Sequence, residues 1–129
     1  MALVQSLNTK VDLVMKATSY HGLTTYGKIM VGDKGFEFYN DNNVKDYIQI
    51  PWEEVDYVAA SVLFKGKCIP RFAVQTKKNG AFSFASREPK KVLRAMNKYV
   101  PDDKMLRSLS AWDVIKRKVK RLFGKIKSK

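Results

Sequence analysis

Cysteine is nearly absent from this chain. Cys68 is the only one among 129 residues, so no intrachain disulfide can staple the fold, and the composition fits a reducing compartment. Histidine is equally scarce: His21 stands alone, without a second histidine to act as a base for Cys68 or to share a metal. No apolar stretch approaches the roughly 18–20 residues of a membrane-spanning helix. The opening Met1-Ala2-Leu3-Val4-Gln5-Ser6-Leu7-Asn8 lacks a cationic start followed by an apolar run, so no signal peptide is expected. Glycine-rich phosphate loops and zinc-ligand spacings are also missing. These absences leave a cytoplasmic protein as the expectation, with any membrane association peripheral, at the inner face of the cell membrane.

What the chain has in excess is positive charge. The formal net charge is +13, and its placement is uneven. Residues 111–129 hold Lys116, Arg117, Lys118, Lys120, Arg121, Lys125, Lys127 and Lys129 against the single acid Asp113, a net +7 that leaves +6 on the preceding 110 residues. A terminal block of like charge reads as an interaction element rather than as part of a core.

From Lys10 to Ser86 the hydrophobic period is two, the signature of strands. Val11, Leu13, Met15 and Ala17 predict a first strand, and Leu23, Thr25, Gly27, Ile29 and Val31 one face of a second. Gly32-Asp33-Lys34-Gly35 reads as a tight hairpin, its glycines expected at positive φ. Phe36–Tyr39, residues 44–50, and Val55 to Phe64 supply three more strands, with Pro51 closing the second of these. Arg71–Thr76 and Ala81–Ser86 flank Lys77-Lys78-Asn79-Gly80, a further hairpin. Phe36, Phe38, Phe82 and Phe84 are expected in the core.

The period then changes. Pro89 suits a first helical turn, Val92, Leu93, Met96 and Tyr99 follow at helical spacing, and Pro101 ends the helix. Seven antiparallel strands and a helix of about twelve residues form an α+β domain. The order is that of a pleckstrin-homology-like (PH-like) or GRAM-like barrel capped by a C-terminal helix over residues 1–100; the alternative is an open antiparallel sheet with a helix across one face. Residues 101–110 read as a polar linker. Ser110 and Asp113 have the form of an N-terminal cap, so a second helix is expected over 111–129. Trp112, Ile115, Val119, Leu122 and Ile126 are spaced 3, 4, 3, 4 and make one helical face, which Phe123 widens.

That segment is the strongest functional signal. An apolar stripe opening with tryptophan, set against a cationic face, describes a helix lying in a membrane interface. The candidate membrane- or partner-binding residues are therefore Trp112, Ile115, Lys116, Val119, Lys120, Arg121, Leu122 and Phe123. Two other readings stand beside it: the stripe packs back on its own domain, or the charge serves nucleic acid. Against nucleic acid, a phosphate-tracking arm does not need the interleaved aliphatics. Catalysis has little support. His21 reads as an ordinary hydrogen-bonded or surface residue and Cys68 as an inert thiol. Glu53, Glu54 and Asp56 alternate in direction along the chain and make no metal site. No enzyme activity, cofactor, metal or small-molecule substrate is expected.

Three separated blocks, Tyr20-His21-Gly22-Leu23-Thr24-Thr25-Tyr26-Gly27-Lys28-Ile29-Met30, Ile48-Gln49-Ile50-Pro51-Trp52-Glu53-Glu54-Val55 and Phe82-Ser83-Phe84-Ala85-Ser86-Arg87-Glu88-Pro89-Lys90, together resemble the ManO family. These are small proteins of Gram-positive bacteria encoded beside the mannose-type sugar phosphotransferase transporter. The likeness runs over roughly residues 1–115. It implies an accessory, regulatory role at that transporter's membrane components, with a DNA-binding regulator of the sugar operon as the alternative. It carries over no catalytic or binding residues.

Overall fold

The computed structural model describes residues 5–43, 45–63 and 67–109. Eight strands form one sheet: β1 (Val11–Ser19), β2 (Thr25–Gly32), β3 (Gly35–Asn40), β4 (Tyr47–Pro51), β5 (Val55–Leu63), β6 (Cys68–Thr76), β7 (Ala81–Ser86) and β8 (Met105–Leu109). A single-turn 3₁₀ segment, Trp52–Glu54, joins β4 to β5, and the helix α1 (Pro89–Asn97) follows β7. The strand order is β4-β3-β2-β1-β7-β6-β5-β8. All ladders are antiparallel except that of β5 with β8.

Two expectations are corrected here. The sheet does not close into a barrel: β4 and β8 are its two edges. And Met105–Leu109, expected within a polar linker, is an eighth strand. Parallel neighbours need a crossover connection, and α1 provides it. Leaving β7, the helix crosses the sheet and returns the chain to the free edge of β5, where Val58 pairs with Met105 and Val62 with Leu109. The hydrogen-bonding groups of that edge are thereby satisfied.

The alternation that predicted the strands also sets the core. Ile29, Val31, Phe36, Phe38, Val58, Phe72, Val74 and Phe84 are buried, joined by Val92 and Met96 from α1. Phe84 sits at the centre of an aromatic group, its ring centroid 5.0 Å from that of Phe36, 5.6 Å from Phe38 and 5.9 Å from Phe72. Phe82 is only partly buried; its ring meets His21 at 4.5 Å. Leu23 does not begin β2, lying outside it in the β1–β2 connection at 87% exposure.

The β2–β3 turn carries the least local feature of the fold. Contrary to expectation, Gly32 and Gly35 are not at positive φ, whereas Gly80 is, at 76°. Their need for glycine is steric. A Cβ on Gly32 would collide with the Lys10 carbonyl and lie 2.5 Å from Asn8 Cγ, and one on Gly35 would collide with the Ile50 carbonyl of β4 and lie 2.7 Å from Leu7 Cδ2. The segment before β1 is therefore seated directly on this turn. Asn8 Oδ1 accepts from the amides of Lys34 (2.7 Å) and Gly35 (2.8 Å), and Asn8 Nδ2 donates to the Gly35 carbonyl at 3.1 Å. The same segment covers Glu37 on the sheet face away from the core. Glu37 Oε1 accepts from Ser6 Oγ at 2.7 Å and Asn8 Nδ2 at 2.8 Å, and Oε2 from the Tyr39 hydroxyl. A fully buried carboxylate is tolerated because these neutral donors replace water.

Asp33 ties the segment down further. The Lys10 amide, the Thr9 hydroxyl and the Thr9 amide donate to its carboxylate, which holds its pKa down at about 2. A depressed carboxylate stabilises fully above its unfolded value, here 3.8, and ceases to as pH falls through the folded value. We expect the Thr9 and Lys10 amide resonances to titrate with a midpoint near 2 and Asp33→Asn to remove that transition. A midpoint near 4 would show the contacts absent in solution.

Candidate docking surface

The eight sequence-predicted binding residues, Trp112 to Phe123, lie outside the described residues, as does the helix expected over 111–129. What the structure does place is the point from which that segment departs. Leu109, at the end of β8, lies beside Val62 near the end of β5. The chain therefore leaves the sheet next to the β5–β6 connection, which contributes Lys67.

Beside this exit lies an apolar groove of about 190 Å³. Val58, Ala60 and Val62 of β5, Ile69 of β6, Leu93 of α1 and Met105 of β8 line it, with Arg107 at the same wall. Leu106 adds an exposed apolar side chain at 44%, and Arg107 and Lys67 are exposed cations. An apolar opening with cationic neighbours suits an amphipathic segment or an acidic interface better than it suits a polar substrate. The sequence reading missed this surface because it missed β8. The available signal was Met105 and Leu106 after Pro101, masked by the polar residues around them.

The remaining sequence candidates stay apart from one another. The His21 ring packs at a tilt of 40° against Phe82, and its backbone amide donates to Ser19 Oγ at 3.4 Å. Cys68 is exposed at the start of β6. Arg71, on that same strand, lies 4.2 Å from the ring centre of Tyr20. Tyr99 stacks on Trp52 at 5.2 Å and donates to the Asp12 carboxylate, an interaction that, with burial, pushes its hydroxyl up to about 12. That contact braces the helix end against β1. Among the described residues no group of three His, Cys, Asp or Glu side chains could hold a metal ion, and no helix is long and apolar enough to cross a membrane.

The described residues thus form an α+β domain built on one large, mostly antiparallel sheet with one packed α-helix. The chain belongs to the family of the domain of unknown function DUF956, whose profile matches residues 3–119. That match includes Trp112, Ile115 and Val119. No functionally curated protein matches the chain. Among solved structures it is similar to the C-terminal domain of an unknown protein from Leishmania infantum, at 11% identity and a TM-score of 0.61, over 70% of this chain and 83% of that one. At this identity the likeness shows the fold alone.

Proposed function

We propose that this protein is a non-enzymatic accessory module that docks at the inner face of the cell membrane through its basic C-terminal segment. The observation that carries this reading is the stripe Trp112, Ile115, Val119, Leu122 and Ile126 within a segment of net +7. The segment follows directly on β8, beside an apolar groove with cationic neighbours. Near an anionic leaflet each Lys or Arg contributes about 1 kcal/mol, so Lys116, Lys120 and Arg121 with their neighbours suffice to hold a shallowly inserted stripe.

The partner in this reading is the membrane part of a mannose-type sugar phosphotransferase transporter, on the resemblance to ManO. Its three blocks fall in the β1–β2 connection and β2, in β4 with its 3₁₀ turn and the start of β5, and in β7 with the first turn of α1. The domain itself is read as an opened PH-like or GRAM-like architecture. In that arrangement β1–β4 and β5–β7 form the two halves, joined through the β1–β7 ladder, and α1 packs across strands of both.

Affinity purification of the tagged full chain from detergent-solubilised membranes is the test. The transporter's membrane subunits should co-purify with it, and a Trp112→Ala, Ile115→Ala double variant should lose them. Recovery of operator DNA instead, bound tightly and sequence-specifically at physiological salt, would transfer the function to the DNA-binding alternative. Binding to DNA through charge alone would be weak and would fall steeply with salt.

A further inference from the structure

The strand register sets a row of cations across the sheet face opposite the core. Lys16 of β1 lies directly opposite Lys28 of β2. On its other side β1 pairs with β7, Ala17 opposite Ser86 and Thr18 opposite Ala85. One step further in the same register, Arg87 comes beside Lys16. All three cations are exposed, while the flanking Ala17 and Ile29 are buried in the core. Like charges set directly opposite one another destabilise a sheet. No described carboxylate forms an ion pair with this row, the ion pairs among the described residues being Lys91–Glu88 and Lys98–Asp12. Stability does not account for such a placement.

The row borders an open cleft of about 400 Å³, whose walls include Lys16, Thr18, Tyr26, Asp41, Ser86 and Arg87. The Tyr26 ring is 68% exposed. Asp41 is held at the cleft by its amide, which donates to the Tyr26 carbonyl at 3.1 Å.

We propose that this cleft binds a phosphomonoester. The Arg87 guanidinium can take two oxygens of a tetrahedral dianion, and Lys16 supplies a compact second charge. The Thr18 hydroxyl adds a neutral donor between them. The Tyr26 ring offers a flat apolar face for the body of the ligand, and Asp41 an acceptor for its hydroxyl groups. The acid also sets a limit. A polyanion running on past the cleft would meet the Asp41 carboxylate, which favours a single phosphate group over a nucleic-acid backbone. The described walls of the cleft fall between Lys16 and Arg87, and the variants that test them leave residues 111–129 unchanged, so this proposal and the docking proposal can fail separately.

The test is amide NMR of the full chain titrated with ribose 5-phosphate, with ribose as control, and in parallel with dihexanoyl phosphatidic acid below its micelle concentration. Ribose 5-phosphate should shift the amides of residues 16–18, 26–28 and 86–87, and ribose should not. Lys16→Gln and Arg87→Gln should each weaken binding by about tenfold or more, as expected for loss of a charge-assisted hydrogen bond. The double variant Lys77→Gln, Lys78→Gln, which removes equal charge elsewhere, should leave it within twofold. Saturation by both compounds supports a free phosphate as the ligand; saturation by the short-chain lipid alone assigns the same cleft to a lipid headgroup. If neither compound shifts these amides, or if the Lys77, Lys78 variant weakens binding as much as Arg87→Gln, the proposal is overturned.

Discussion

Deleting residues 111–129 is expected to abolish binding to anionic vesicles while leaving the eight-stranded domain folded. The cut falls beyond β8, whose last residue is Leu109, so every described ladder is kept. The loss removes the stripe and the block of net +7 together, and point variants separate the two contributions. Trp112→Ala and Ile115→Ala act through buried apolar area and should weaken binding even at high salt. Lys116, Lys120 and Arg121 changed to Gln should weaken it chiefly at low salt, because added ions already screen their attraction at higher ionic strength. Two other outcomes would redirect the reading. If the segment covers the groove at Leu93 and Met105, truncation will lower the melting temperature and vesicle binding will barely change. If the protein ignores lipid yet needs Trp112 and Ile115 to co-purify with a membrane partner, the stripe docks on protein.

Phe84→Ala should destabilise the domain by about 3–5 kcal/mol, the usual range for a buried aromatic. That is a large part of the roughly 5–15 kcal/mol by which domains are stable. Phe84 is fully buried and its ring meets Phe36, Phe38 and Phe72, so truncation opens the middle of the core rather than its margin. A fall in melting temperature on the order of 10 °C or more corresponds to this loss. Phe82→Ala, two residues away on the same strand, should cost clearly less, since Phe82 is only partly buried and packs against His21. Equal effects of the two substitutions would show that the core is not organised around Phe84.

The contrast between these two phenylalanines marks how far local pattern reaches. Alternation put both on the same face of one strand, which is correct. It could not tell that Phe84 meets three rings from two other strands while Phe82 lies near the rim. The β2–β3 turn repeats the point. Gly32 and Gly35 signal a hairpin, and a hairpin is there, but they are needed because the Lys10 carbonyl and Asn8 close on Gly32 and the Ile50 carbonyl of β4 closes on Gly35. Glu37 likewise sits on the outward face that alternation gives it. It is nevertheless buried, because a segment some thirty residues earlier folds over it.

By itself, the sequence determined the strands from Val11 to Ser86 and a helix beginning at Pro89. It also marked a basic, amphipathic C-terminal segment. All of these rest on side-chain period and on the local backbone demands of glycine and proline. Only the tertiary structure decided that the sheet stays open and that Met105–Leu109 pairs with β5 as an eighth strand. It alone decided, too, that Lys28, Lys16 and Arg87 stand in one row. Such features depend on which strand edges meet and in what register. Pairing joins residues far apart in the chain, and no local period encodes it.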